Sequence, residues 1–390
     1  MILHSMHTRL FTFLYKFEIL ALVVIPLAGT VTAVILLWNR YVFWQDISLL
    51  LAFYALSMLG ITIGYHRMLT HQGFSAPWWL KGFFLICGCM AFEGRPLDWA
   101  PTHIKHHAHA DDEDDPHSPL HGFWHAHVGW IFSRQNFAPA ADYAPHLLHD
   151  PVVLFVDRFY VLWMAVSLLI PFLLGGWTGL LWGGAVRIFF NTHATYSVNS
   201  ICHTFGRRHF ETTDESRNEW IVGLLAFGEG WHNNHHAFPR SAFHGLRWWQ
   251  FDLSGVIIRL LERLGIIADV QRASVEAQQA HQAKSATVQH HLHELRSQLS
   301  EKIQSAKAEV LRLVEQYGTP RTTQQELAAM TVSCENALER LQEIQQTMLQ
   351  ASHLKRQRLQ VYMQEVQSLV VSVHASLSPV LQTETAARTS

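Results

Sequence analysis

The chain has 390 residues, 49% of them hydrophobic and only 15% charged, against about 25% charged in an ordinary soluble domain. A net charge of −2 leaves no field to recruit nucleic acid or an anionic surface, so partners must be argued from sites. All 14 Trp and all 23 Phe lie at or before Phe251, which divides the chain into an aromatic-rich part and a tail of different character. Four cysteines at scattered spacings suit neither a disulfide framework nor a zinc ribbon, and fit a reducing compartment.

In chain order, Ile19 to Asn39 and Ile47 to Tyr65 carry no charge, and each is long enough to cross a hydrocarbon core of about 30 Å as a helix. Gly82 to Phe92 is uncharged but short, as an interfacial or half-buried helix would be. Phe159 to Val186 is uncharged over 28 residues with Pro171, Gly175 and Gly176 inside it. That is too long for one span, so it predicts a helical hairpin whose returning arm starts near Trp177 and runs through Arg187 towards His203. Arg187 then lies deep and must snorkel or find a buried partner. Arg9 and Lys16 before the first run, against Arg40 after it, put the N-terminus in the cytoplasm. The first run shows no small-residue cleavage site and is expected to be retained. The expected fold is all-α and integral to the membrane, with four transmembrane helices and a cytoplasmic helical cap.

Of the 27 histidines, 21 precede residue 250, and a neutral imidazole is the commonest protein metal ligand. His103, His106 and His107 share one helical face, as do His232, His235 and His236, because positions i, i+3 and i+4 line up on an α-helix. His66 and His71, five apart, are separated by about 140° on a regular helix and grip one centre from two sides or bind two different metals. Asn199 and His203 supply a further face. Nine histidines and an asparagine exceed the needs of one ion. Two metals are implied, with imidazole rather than carboxylate ligation, because only one Glu-x-x-His pair, Glu229 with His232, is present. Glu229 becomes a candidate for orienting an imidazole from behind.

The segments HRMLTH (His66 to His71), HIKHH (His103 to His107), NSICH (Asn199 to His203) and GEGWHNNHHAFP (Gly228 to Pro239) closely resemble, in order and spacing, the histidine boxes of membrane fatty acid desaturases of the Δ9 acyl-CoA and acyl-lipid branch. The resemblance spans about residues 15 to 270. It implies a multi-pass enzyme with its active site facing the cytoplasm, two Fe2+ ions and O2 as cofactors, and oxygen-dependent insertion of a cis double bond at Δ9 of a long-chain acyl-CoA or acyl-lipid. Carried over, His66, His71, His103, His106, His107, His203, His232, His235 and His236 are the iron ligands, and Asn199 holds a bound water. Where animal acyl-CoA enzymes carry charged pairs that hold coenzyme A, this chain has Pro101 and Thr102, and then Arg134 and Gln135, leaving Arg134 as the acyl-carrier contact. No haem or flavin signature accompanies the boxes, so electrons come from a separate protein such as ferredoxin or cytochrome b5 with its reductase. A hydroxylase of the same histidine-rich superfamily and a non-enzymatic metal-binding scaffold are the alternatives.

Substrate length is expected to be set where a tunnel between the spans ends. Tyr54 lies 12 residues before His66, about 18 Å down a helix, and Tyr54, Leu50 or Met58 could close it. Of the other cap histidines, most of His109, His117, His121, His125 and His127 read as solvated or as standing behind the ligands, the acidic run Asp111 to Asp115 reads as a solvated loop, and Trp248, Trp249 and Val256 to Leu264 as interfacial anchors. Beyond a domain of residues 1–270, a Gln-rich tail of residues 271–390 spaces Val288, Leu292, Leu295, Leu299, Ile303, Ala306, Val310, Leu313 and Tyr317 by threes and fours. A second, less regular seam includes Leu341, Ile344, Met348 and Val366. This pattern predicts a coiled coil or helical hairpin capable of self-association.

Overall fold

The computed structural model of the chain describes Lys16, residues 19–37 and 42–282, and short stretches of the tail between Glu294 and Ala375. The described residues are helical, with isolated bridges such as Ser75 to Ala268 but no strand. The chain divides into two compact units, Met1–Gln282 and Ala283–Ser390.

The first unit is built on apolar helices. We label α1 Ile19–Ile35, α2 Trp44–Thr70, α3 Trp78–Cys89, α4 Pro96–His109, α5 Pro151–Arg158, α6 Tyr160–Ser200, α7 Trp220–Leu225, α8 His232–Ala237 and α9 Leu253–Arg263. Among the described residues, only α2 and α6 are both long and apolar enough to cross a bilayer. α1, at 17 residues or fewer, is a shorter apolar helix. Helix α6 is two arms rather than one rod. Gly176 sits at φ 63°, ψ −147°, a conformation that only glycine adopts readily, and the second arm folds back on the first, with Gly179 against the Pro171 carbonyl. The hairpin expected from Pro171, Gly175 and Gly176 is thus made at the last of them. Ile25, Ile35, Leu51, Val161, Leu173 and Trp177 are exposed large apolar side chains on these helices, a distribution that water does not favour and a lipid surface does.

Helix α3 lies against α2 with no room to spare. A Cβ on Gly60 would fall 2.1 Å from the Gly88 amide nitrogen, the close backbone approach that small residues permit in helix pairs within lipid. From Gly60 to Thr70 the end of α2 is wound as a π-helix. Arg187 is fully buried and finds partners rather than snorkelling. Its guanidinium donates to the carbonyl of Met90, to the Gly183 carbonyl at 3.1 Å and to the Ser167 hydroxyl at 3.2 Å, which answers the cost of a buried charge with hydrogen bonds.

On the cap, Val256, Leu260 and Leu264 are exposed along and just past α9, near in sequence to exposed Trp248 and Trp249. In the second unit, Leu299, Ile303, Ala337, Leu341, Ile344 and Val366 are buried, and Arg340 bonds both Glu343 and Glu365. Val288, Leu292, Leu295, Ala306, Val310, Leu313, Tyr317 and Met348 lie outside the described residues.

Candidate metal centre

All nine histidines converge, in two groups. His66, His71, His103, His107 and His235 form one, and His106, His203, His232 and His236 the other, the ligand atoms within each lying within 4.8 Å of one another. The local reasons differ by element. Helix α4 presents His103 and His107, one turn apart, to the first group while His106 turns to the second. Helix α8 does the same with His235 against His232 and His236. His66 and His71 meet because of the π-winding. The His71 amide donates to the His66 carbonyl at 3.1 Å, an i to i+5 turn that brings onto one side two residues an α-helix would splay, and their ring centroids are 4.8 Å apart. Both therefore lie in the same group of histidines.

Within each group the Nε2 atoms face one another. His66 and His235 approach to 3.1 Å, His235 and His107 to 2.9 Å, His203 and His232 to 3.0 Å, and His232 and His236 to 3.0 Å. Burial, reinforced by the neighbouring imidazoles, holds His71, His103, His107, His232 and His235 well below the usual imidazole range. They are neutral, the form that ligates a metal. Donors about 3 Å apart are the spacing expected around a six-coordinate ion at about 2.1 Å, and the His71 and His106 Nε2 atoms are buried without a hydrogen-bond partner. The donor set fits two metal ions.

Carboxylates grip the far side of several rings. Glu229 accepts from His66 Nδ1 at 2.5 Å, and is itself held by Arg67, a fully buried guanidinium shared with Asp252. Burial would raise the Glu229 carboxyl, but His66, His244 and Arg67 outweigh it and hold the group well below the ordinary range. In the second group His106 meets Asp115 at 3.0 Å, His203 meets Asp111 at 3.0 Å and His236 meets Asp214 at 2.8 Å, each through Nδ1. A carboxylate on Nδ1 fixes the tautomer and leaves Nε2 to ligate.

Three of these features escaped the reading of the sequence: the buried ends of the acidic run, Asp214 and His244. The run Asp111 to Asp115 is not wholly solvated: Asp111 and Asp115 are buried to 4% and 3% exposure while Asp112 to Asp114 face water, because the two ends of the run pair with histidines. His117, for which both a solvated place and one behind the ligands were open, is buried beside Asp115 and Trp130. Asp214 lies in no histidine box. His244, likewise outside the boxes, is buried with His66 and Glu229 in a third cluster, held there by the Asn234 amide, which donates to its carbonyl at 2.9 Å. Asn233, between the ligands of α8, accepts from the amides of His209 and Phe210, so the HNNHH pattern alternates metal donors with loop anchors.

A cavity of about 60 Å³ touches the centre, lined by His66, His103, His232, Asn199 and Glu229 among others. A larger one, about 470 Å³, lies between α1, α6 and the cap and includes Arg134. Glu93, Trp130, Phe137 and Tyr196 line both. Tyr54, Leu50 and Met58 line neither. The Tyr54 hydroxyl donates to the Leu225 carbonyl at 2.8 Å, Met58 is buried among Ala194, Val198 and Val222, and Leu50 packs towards Trp182.

The fold and the cluster together have the donor set of a dinuclear metalloprotein on a membrane-type helical scaffold. The chain matches the fatty acid desaturase family over residues 42–254, and it belongs to that family. It is 41% identical to a hex-5-enoyl-[acyl-carrier protein] acetylenase of Moorena producens (strain JHB), over 64% of this chain and 84% of that protein. It is 42% identical to an sn-1 stearoyl-lipid 9-desaturase of Anabaena variabilis, over 57% and 83%, and 39% identical to an icosanoyl-CoA 5-desaturase of Limnanthes douglasii, over 63% and 69%.

Proposed function

We propose that this protein is an O2-dependent fatty acyl desaturase that inserts a cis double bond at Δ9 of a long-chain substrate, with two irons held by the nine histidines. The observation that carries the reading is the sorting of those histidines into groups of five and four with their Nε2 atoms turned inwards. The assignment gives His66, His71, His103, His107 and His235 to one iron and His106, His203, His232 and His236 to the other, with Asn199 beside the small cavity. Imidazole ligation suits iron. When bound, the metal pair supplies oxygen activation, and the net change removes two hydrogens from adjacent methylenes while two electrons and two protons complete the reduction of O2 to two waters.

The chain's own contribution is placement. Trp130, Phe137, Tyr196 and Glu93 line both cavities, so an acyl chain running from the large to the small one passes them before it meets the inward faces of His66, His103 and His232. One methylene pair among many chemically equal ones is chosen by where the chain is held and where it bends. Δ9 is favoured by the box pattern and by the stearoyl-lipid relative, against the Δ5 activity named for the Limnanthes protein. In this reading α1, α2 and the two arms of α6 cross the membrane four times, with the centre on the cytoplasmic side and electrons delivered there by ferredoxin or cytochrome b5.

The test is expression in a host without its own unsaturated-fatty-acid synthesis, followed by mass spectrometry of its lipids. Monounsaturated chains with the bond at carbon nine are expected. Hydroxylated chains would establish the hydroxylase instead, and an unchanged lipid profile in cells that hold the iron-loaded protein would sink the reading.

A further inference from the structure

A line of oxidisable side chains leads away from the first histidine group. The Trp99 indole stacks on the His103 ring with centroids 5.0 Å apart and planes at 20°, and meets the His66 ring edge-on at 5.9 Å. Behind it the Tyr65 ring lies 5.7 Å from Trp99, and the Tyr65 oxygen is 3.2 Å from Cys89 Sγ. Tyr65 and Cys89 are fully buried. Trp99 also lines the small cavity, so the line begins where an acyl chain would meet the metals and ends in the packing between α2 and α3.

Helix α3 is shaped to admit the phenol. A Cβ on Gly88 would fall 2.4 Å from Tyr65 Cε1. A hydroxyl at that depth is costly unless it is hydrogen-bonded, and a phenylalanine would fill the same space without it. The hydroxyl donates to the Gly94 carbonyl at a long 3.3 Å, which leaves its lone pairs to the Cys89 thiol, a weak donor. What the three groups share is chemistry. Indole, phenol and thiol are among the side chains most readily oxidised by one electron, and they stand side by side in that order from the ligands.

We propose that Trp99, Tyr65 and Cys89 form a relief path, which takes one oxidising equivalent from the metal centre when oxygen is activated with no acyl chain in place. This rests on the desaturase reading, which supplies the O2 and the one-electron donor. Trp99 gives one electron to the oxidised centre, and Tyr65 refills Trp99 with one of its own. The Tyr65 proton passes over the Gly94 carbonyl to the Asp157 carboxylate, which acts electrostatically on the phenol and lines the large cavity together with Gly94. Cys89 then gives its S–H hydrogen to the Tyr65 oxygen, restoring the phenol and leaving a neutral thiyl sulfur. In sum Cys89 loses one electron and one proton, the centre gains the electron and Asp157 holds the proton. The donor's next electron, arriving through the centre, and the proton on Asp157 reverse the sequence. A neutral sulfur suits a buried place where an unpaired charge would be costly, and it holds the oxidising equivalent away from the His66 and His103 rings.

The test uses the full-length, iron-loaded protein in lipid nanodiscs, reduced without air, mixed with O2 in the absence of acyl substrate and frozen at intervals for electron paramagnetic resonance. Cys89→Ser keeps a hydrogen-bonding group of similar size, but its O–H bond is too strong to yield a hydrogen atom to Tyr65. A tyrosyl radical is therefore expected to last at least tenfold longer in Cys89→Ser than in the wild type. Its splitting should collapse in protein made with ring-deuterated tyrosine, and the signal should be absent when Tyr65→Phe is added. Tyr65→Phe alone, with iron per chain unchanged, should raise oxidation of His66, His103 and Trp99 at least tenfold after substrate-free turnover, as read by peptide mass spectrometry. A tyrosyl signal that survives Tyr65→Phe, or none in a Cys89→Ser preparation that still desaturates, would overturn the relief path and leave the desaturase reading standing. Equal oxidation of the ligand peptides in wild type and Tyr65→Phe would overturn it too. Iron-loaded protein that neither desaturates nor consumes O2 would remove both.

Discussion

The two histidine groups differ in what stands behind them. In the second group three of four rings, His106, His203 and His236, each have a carboxylate of their own among the group on Nδ1, Asp115 also facing His117. In the first, one ring of five, His66, meets a buried carboxylate, Glu229, and that one is tied to Arg67. The second group is therefore oriented ring by ring through charge. The first is oriented by packing: Trp99 stacks on His103 with centroids 5.0 Å apart, and the π-winding of α2 fixes His66 and His71. Negative charge behind an imidazole makes it a stronger donor, so the two metal positions should differ in affinity, the second binding more tightly.

The sharpest way to break this comparison is to remove a ligand from each side. His107→Ala and His236→Ala are both expected to abolish activity, at least 100-fold, with the protein still in the membrane. They should differ in metal content: His107→Ala keeps one iron per chain, in the second group, while His236→Ala loses more than its share. Full activity in either variant would strike that residue from the ligand set, and one metal per chain in the wild type would remove the dinuclear reading.

The supporting carboxylates come next. Asp214→Asn and Asp111→Asn keep the shape but take away the charge behind His236 and His203. A loss of metal affinity of about 10- to 100-fold is expected, confined to the second position. Glu229→Gln acts on the first position and does more than weaken a donor, because it leaves Arg67 buried with one carboxylate fewer, a type of loss that costs several kcal/mol. A fall in thermal stability of the metal-free protein should therefore accompany Glu229→Gln and be absent from Asp214→Asn. Equal effects on stability would erase the distinction between a charge-held and a packing-held site.

The same comparison explains what the sequence made legible. The two triples on α4 and α8 were readable because helix periodicity is local, and both lie on short helices. The meeting of His66 with His71 was not, since it depends on an i to i+5 winding at the place where Gly60 and Gly64 press α2 against α3, a tertiary cause invisible to spacing. Asp111 and His203 are 92 residues apart, and nothing local marks the ends of an acidic run as buried when its middle is exposed. Glu229 was visible only because it falls three residues before a ligand. The α6 hairpin was readable from its Pro and Gly residues, and the need of Arg187 either to snorkel or to find a buried partner from the depth it would reach, the Met90, Gly183 and Ser167 contacts answering it by the second route.

Glu93 belongs to neither group and gives a smaller, pH-dependent effect. Burial pushes its carboxyl up to about 8, against the hydrogen bond that Asn191 donates to it at 2.9 Å, which favours the charged form. An acid whose folded value is raised binds its proton more tightly when folded. Its contribution is thus complete below the unfolded carboxylate range near 4.5, and stability is lost as the pH rises from there to about 8. Glu93→Gln, uncharged at every pH, should flatten that decline in Tm between pH 5 and 8 while leaving both metal positions filled. An unchanged slope would place the wild-type ionisation elsewhere.

The smallest effect is expected from the tail, and where the cut falls decides it. The family match ends at residue 254 and every proposed ligand precedes it, yet the first unit continues to Gln282. The stretch just past 270 is stitched into the cap: the Gln271 amide donates to the Gly73 carbonyl at 2.7 Å, and the Gln271 carbonyl accepts from the Ala242 amide at 3.0 Å. The His281 ring lies 4.9 Å from that of Phe238, which directly follows the ligand helix α8. A chain ending at Gln282 should therefore keep wild-type iron content and desaturate within about twofold of the full protein when supplied with donor. One ending at 270 should lose iron, because His71 and the end of α8 lose the strap that ties them. Activity lost at 282 with iron intact would assign the tail to donor docking or assembly, and activity retained at 270 would show that packing around the first group is stiffer than its single carboxylate implies.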